Sequence, residues 1–255
     1  MECFIVLPSD VDLERRELIL RGDEAHHAIR SLRLHAGDML MATNLIGICY
    51  RSRVEHAAAG SLVCSIDEIL PNFSEPERDV LLLAAMISQP ARWDFLLEKA
   101  TELGVKAIQP MLTERTERVH FRRDRSEKIL RAAVKQTKRA WMPAIKSSLS
   151  GGETSSAKLA SLREALASAS EEGRSIFLLH EAAAETASLV RAMIWESAKA
   201  MAIAIGPEGG FTEEEVRMAC EEFGAKSVSL GPRRLRAETA AIAALAIVMA
   251  AESKV

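Results

Sequence analysis

The chain has little cysteine, and what it has is scattered. Cys3, Cys49, Cys64 and Cys220 form no C-x-x-C pair and do not cluster with the six histidines. That pattern excludes a disulfide framework, speaks against a metal site and suits a reducing cytoplasm. A strong charge of one sign is also missing. The formal net charge is −3, so the chain as a whole is not a basic nucleic-acid binder, and any such contact has to come from a local patch. No long hydrophobic run is present. The longest, AAIAALAIVMAA from Ala240 to Ala251, is too short to cross a bilayer and reads as a buried or interface helix. The N-terminal segment soon turns charged (Asp10, Asp12, Glu14, Arg15, Arg16), so no signal peptide is expected. Neither the G-x-x-x-x-G-K-[ST] loop nor a dinucleotide fingerprint occurs, which disfavours a nucleotide-dependent enzyme.

What is there is globular: 255 residues, 48% apolar and 27% charged. The length fits a small domain plus a medium one. Residues 1–70 read as short strands (ELILRGDE, DMLMATN, ICYRSRVEH, LVCSIDEIL) broken by Gly22, Gly37, Gly47 and Gly60, with a short helix in HHAIRSLRL. A small β-barrel is the expected way to remove their edges. Residues 71–78, PNFSEPER, read as a linker. From Asp79 to the end, strands alternate with helices. VLLLAAM is apolar throughout, as a doubly covered strand should be, and ARWDFLLEKATELG carries one apolar helical face ending at Gly104. The expectation is an α/β domain over 79–255 with a mostly parallel sheet and helices on both faces. Residues 147–157, SSLSGGETSSA, read as a low-complexity loop.

In such sheets ligands collect at the carboxyl ends of strands, and three ends carry unusual residues. IAIGPEGGFTEEEV runs from a strand through a glycine-rich turn into a helix with a T-x-x-E capping box, Thr212 to Glu215. Its glycines let backbone amides approach a ligand closely. VSLGPRRLRAETAAIAAL places Arg233, Arg234 and Arg236 directly before an apolar helix, where cations oppose the helix dipole. Stability alone does not favour that placement; an anion or RNA contact beside a pocket does. FLLHEAA closes a third strand with His180 and Glu181, a pair that by itself reads equally as structural.

Together, GPEGGF, LGPRRLRAETAAIAAL, LLHE, EKATELGVKAIQP and the N-terminal RGDEAHHAIRSLRLHAGD resemble the RsmE family of SPOUT methyltransferases over nearly the whole chain. The resemblance implies methylation of N3 of a uridine in 16S ribosomal RNA of the small subunit, with S-adenosyl-L-methionine as donor. It implies a PUA-like barrel before a trefoil-knotted domain, and a cytoplasmic homodimer with the C-terminal helix at its interface, free of metal and membrane. The donor pocket it implies is lined by Leu179, His180 and Glu181; by Gly206, Pro207, Glu208, Gly209 and Gly210; and by Leu230, Gly231, Arg234, Leu235, Arg236, Thr239 and Ala240. Two positions depart from the family pattern: Lys135 stands where an acid is usual, and Ala237 lacks a hydroxyl.

Methyl transfer from such a donor is a positioning task. Uridine N3 carries a proton that must leave, and it lies on the pairing edge of the base. Arg236 is the expected catalytic contact, stabilising charge that develops on the uracil; Glu208 is the second catalytic candidate, as proton acceptor. Residues 114–139 hold ten Lys/Arg against four acids, which marks Arg115, Arg118, Arg122, Arg123, Gln136 and Arg139 as expected RNA contacts. Residues 1–75 hold seven basic against twelve acidic residues, so only a few placed side chains there, such as Arg30 and Arg33, are expected at RNA. Two alternatives remain at this point: a SPOUT enzyme acting on another base or a ribose, and a non-catalytic RNA-binding assembly factor.

Overall fold

In a computed structural model the described residues are 1–58, 60–117, 120–146, 159–181, 183 and 187–251. The low-complexity segment 147–157 and Arg118 lie outside them. The chain divides into two compact units, Met1–Glu75 with Arg131–Met142, and Pro76–Leu130 with Pro143–Val255.

The first unit is a curled six-stranded mixed sheet. Its strands are β1 (Cys3–Ile5), β2 (Val11–Asp12), β3 (Glu17–Leu20), β4 (Met39–Thr43), β5 (Ile48–Ala58) and β6 (Ser61–Pro71), in the order β1-β4-β5-β6-β3-β2. Only β1–β4 is parallel. The alternation expected of a half-buried strand is plain in β6, where Leu62, Cys64 and Ile66 point inward. They pack with Phe4, Leu18, Leu20 and Leu40. Register shifts at Arg51/Ser52 and Val54/His56 bend the long β5–β6 pair. The short helix α1 (Gly22–His26) continues as one π turn through Ser31; Arg30 and Arg33 are exposed.

Residues 131–142 complete this unit. Lys135 Nζ lies 2.9 Å from both carboxylate oxygens of Glu24, and Glu24 also accepts from the Ile5 amide. The departure at position 135 is thus matched inside the unit. Arg139 corrects an expectation. The charge run 114–139 marks it as an RNA contact, but its side chain is 1% exposed and its Nη2 lies 2.7 Å from Oε2 of Glu75. Oε1 of Glu75 accepts from Arg139 Nε and from the Trp141 amide. A guanidinium fully engaged in a buried pair has no phosphate to offer itself to.

The second unit carries β7 (Asp79–Ala85), α2 (Pro90–Glu102), β8 (Ala107–Leu112), α3 (Arg123–Thr137, whose last turns belong to the first unit), β9 (Ala144–Ile145), β10 (Ala160–Ser161), α4 (Leu162–Glu171), β11 (Ser175–Leu179), α5 (Leu189–Trp195), β12 (Ala200–Ile205), α6 (Glu213–Phe223), β13 (Lys226–Val228) and α7 (Ala237–Ala250). The sheet runs β10-β8-β7-β12-β11-β13, with β9 also on β8, and every pairing is parallel. Parallel strands need cover on both faces, and β7 and β12 are buried almost end to end. Helices α4 and α6 pack together, while α7 packs against α2, α5 and β12. The first pair covers the face carrying Leu81, Leu83, Ile176, Leu178, Ala202 and Ala204. No helix of the described residues is long and apolar enough to cross a membrane.

Candidate functional site

The order β7-β12-β11-β13 sets three carboxyl ends side by side. The turns after β11, β12 and β13 enclose one cavity of about 250 Å³ in the second unit. From the first turn come Leu179, His180 and Glu181; from the second Ile205, Gly206, Pro207, Glu208, Gly209, Gly210 and Phe211, with Glu213 beyond it; from the third Ser229, Leu230, Gly231, Arg233, Arg234 and Leu235, with Ala237 and Ala240 of α7. Thirteen residues of the implied donor pocket therefore meet at one place. Arg236 and Thr239 do not reach its wall. Arg236 is the N-cap residue of α7 and is exposed, and Thr239 is exposed one turn along.

Local chemistry shapes each turn. After Gly206 the chain closes a tight turn through Gly210 N–H to the Pro207 carbonyl at 2.9 Å, with Gly210 at φ 71. A Cβ on Gly206 would stand 3.3 Å from both the Gly210 backbone and the Phe211 ring, so the turn is built around its absence. Thr212 and Glu215 then form the expected capping box: Thr212 Oγ1 accepts from the Glu215 amide and the Glu215 carboxylate accepts from the Thr212 amide. In the third turn Ser229 Oγ accepts from the Gly231 amide, and Gly231 has φ 107. The first and third turns are joined by His180 N–H to the Val228 carbonyl at 3.0 Å.

The charges around the cavity are mixed. Arg234 Nε lies 3.4 Å from Glu181 Oε2, but both side chains are more than half exposed, so the pair contributes little stability. Oε1 of Glu208 accepts from the amide and the hydroxyl of Ser88, at 3.1 and 2.8 Å. Arg115 donates to the carbonyls of Gly209 and Phe211, at 2.9 and 3.4 Å. Behind the third turn Glu238 is buried in α7. Arg92 approaches its Oε1 at 3.7 Å, and Oε2 has no hydrogen-bond partner. Among the described residues no His, Cys, Asp and Glu cluster able to hold a metal is present.

Arg122 and Gln136 are exposed, whereas Arg123 is tied to Glu127 and to the Ile145 carbonyl. Sequence reasoning missed Ser88, Arg92 and the second role of Arg115. Ile205, Phe211, Glu213, Ser229 and Ala237 were also missed, although they sit within or beside the quoted motifs, whereas Arg233, singled out in the sequence, does line the cavity.

Comparison with known proteins adds the following. A family model described as an RNA methyltransferase domain matches residues 74–249, and one described as an RNA methyltransferase PUA domain matches residues 20–67. The chain is 30% identical to the ribosomal RNA small subunit methyltransferase E of Mycobacterium tuberculosis, over 90% of this chain and 85% of that one. It is 30% identical to the protein so named in Synechocystis, over 88% of this chain and 69% of that one. A crystal structure of ribosomal RNA small subunit methyltransferase E from Neisseria gonorrhoeae bound to S-adenosyl methionine superposes with a TM-score of 0.77, at 26% identity, over 96% of this chain and 95% of that one.

Proposed function

Because the chain belongs to the ribosomal RNA small subunit methyltransferase E family of RNA methyltransferases, we propose that it transfers a methyl group from S-adenosyl-L-methionine to N3 of a uridine in 16S ribosomal RNA. The observation that carries this reading is the meeting of three strand ends around one cavity, with Gly206, Gly209, Gly210 and Gly231 in its wall. The residues present fit such a donor. A turn shaped by the missing Cβ of Gly206 brings main chain close, Leu179, Ile205 and Leu230 supply apolar wall, and the mixed charges of Glu181, Glu208 and Glu213 against Arg115, Arg233 and Arg234 suit a donor that carries both cationic groups and a carboxylate. Bound there, the donor supplies an electrophilic methyl group on a sulfonium.

The chain's own residues do the rest. The three turns hold donor and acceptor in line, which is the larger part of the acceleration in a transfer that needs no protein nucleophile. Ser88 fixes one oxygen of Glu208, leaving Oε2 to take the N3 proton. Arg236 stands exposed just beyond Leu235 and has no ion-pair partner among the described residues. It meets the incoming base rather than the donor and stabilises the charge left on the uracil. RNA is held by exposed cations: Arg30 and Arg33 in the first unit, and Arg122 and Lys128 in the second.

In this reading the enzyme is a cytoplasmic homodimer that meets RNA in the small ribosomal subunit. Support comes from Val190 and Ile194, apolar residues one turn apart on α5 that are more than half exposed, on a helix that packs against α7. The trefoil knot of the family belongs to the same reading; it is supported by α7, which follows the edge strand β13 yet packs back on β12 and α2.

The test is direct. Purified protein is incubated with S-adenosyl-L-methionine and small subunits from a strain lacking this modification, and the nucleosides are analysed by mass spectrometry. One 3-methyluridine per 16S RNA is expected. Methyl on a ribose or on another base, or no incorporation at all, would overturn the assignment.

A further inference from the structure

The turn after β8 reaches across to the glycine turn after β12. Residues 113–116 form a closed turn, with the Thr116 amide on the Thr113 carbonyl and Thr116 Oγ1 accepting from the Thr113 amide. Two residues of it make four hydrogen bonds to the segment 209–215. The Glu114 amide donates to Glu215 Oε1 at 2.8 Å, and Thr212 Oγ1 donates to Glu114 Oε2 at 3.1 Å. Arg115 Nη1 donates to the Gly209 carbonyl at 2.9 Å and to the Phe211 carbonyl at 3.4 Å. The capping-box glutamate therefore serves two segments, giving Oε2 to its own helix start and Oε1 to the turn. The stem of Arg115 also lies on Gly209: a Cβ there would stand 3.2 Å from Arg115 Cβ and 3.3 Å from Cδ.

Arg115 itself stands in the wall of the cavity, and the peptide planes whose carbonyls it holds set where the neighbouring amides aim. Arg115 is held by carbonyls and has no ion-pair partner among the described residues, so its charge is spent on the turn. We propose that Arg115 is a positioning residue for the methyl donor: it fixes the Gly206–Gly210 turn in the shape that binds S-adenosyl-L-methionine, and it is not a phosphate contact. The inference rests on the reading of this cavity as the donor site.

The experiment measures donor binding by calorimetry on RNA-free protein, together with RNA binding across a salt series and thermal melting. Arg115→Gln is expected to weaken donor binding roughly tenfold, the weight of one charge-assisted hydrogen bond. The salt slope of RNA binding stays at the wild-type value. Arg115→Lys recovers only part of the loss, because the shorter side chain does not bring its ammonium to the place of Nη1 between the two carbonyls. Gly209→Ala weakens donor binding in the wild-type background and adds less in Arg115→Ala, which removes the Cδ it would strike and leaves only the Cβ; such non-additivity is the mark of direct coupling.

An Arg115→Gln protein that binds donor normally but shows a shallower salt slope for RNA overturns the proposal and makes Arg115 a phosphate contact. Full additivity of Gly209→Ala with Arg115→Ala overturns it as well. If Arg115→Gln does not fold, Gly209→Ala and Arg115→Lys still decide the matter, since a drop in melting temperature without a change in donor affinity counts against positioning. Wild-type protein that binds no donor defeats the reading of the cavity itself, an outcome distinct from normal wild-type binding with unaltered variants.

Discussion

Arg139 and Glu75 show how a residue that looks like an RNA contact is claimed by the interior. Both are almost fully buried, and the pair is closed by the Trp141 amide. Removing one partner strands a charge, so Glu75→Ala is expected to cost about 3–5 kcal/mol in urea unfolding. A loss under 1 kcal/mol would show that the pair is solvated in solution. The thiols make a second residue-scale case. Burial pushes Cys64 up to about 12, with the nearby Glu55 adding to the rise, and burial pushes Cys3 to about 12 and Cys49 to about 11. A thiol that keeps its proton when folded but gives it up near 9 when unfolded favours folding below that value and loses the advantage as pH rises past it. Stability should fall between pH 8 and pH 10 by about 1 kcal/mol per thiol. In Cys64→Ala the drop in melting temperature between these pH values should be smaller than in the wild type; an unchanged drop would refute this account.

At the scale of the element, α3 and the residues leading into it separate nominal charge from available charge. Of the cations that made this stretch look like an RNA surface, Arg123, Arg125, Lys135 and Arg139 are paired with Glu127, Asp94, Glu24 and Glu75. Arg122, Lys128 and Arg131 are exposed with no ion-pair partner among the described residues. Phosphate contact by Lys128 predicts that Lys128→Ala reduces the slope of log affinity against log salt by about 1. Arg125→Ala, which removes a paired charge, should leave the slope nearly intact. Equal effects at both positions would mean that the ion pairs open on RNA.

The same scale explains what was legible. The glycine turn, the capping box at Thr212 and the arginine-rich approach to α7 announce themselves because a tight turn, a helix start and a misplaced cation are local chemical statements. Strands β7 and β12 are legible from their unbroken apolar runs. Ser88, Arg92 and the true partners of Arg115 are not, because each acts on a segment over ninety residues away. Nothing in 131–142 signals that it completes the first unit either. Its basic residues balance Glu24 and Glu75, and those carboxylates are visible only once the chain has folded.

For the molecule as a whole, the proposed dimer makes a measurable claim. Ile194→Glu places a charge on the exposed apolar face beside α7 and is expected to shift the protein from dimer to monomer in sedimentation equilibrium. A wild-type monomer, or a variant dimer of unchanged affinity, would remove α5 and α7 from the interface. The parallel sheet has a consequence of its own. Strand β12 lies between β7 and β11 with residues 201–205 buried, whereas the turns that follow it are partly open to water. The floor of the cavity is thus already sealed against solvent deuterium, while its rim still breathes. Saturating donor should slow amide exchange at 206–210 and 229–235 and hardly alter 201–205, so that the ligand freezes the lip of a vessel whose base was rigid from the start.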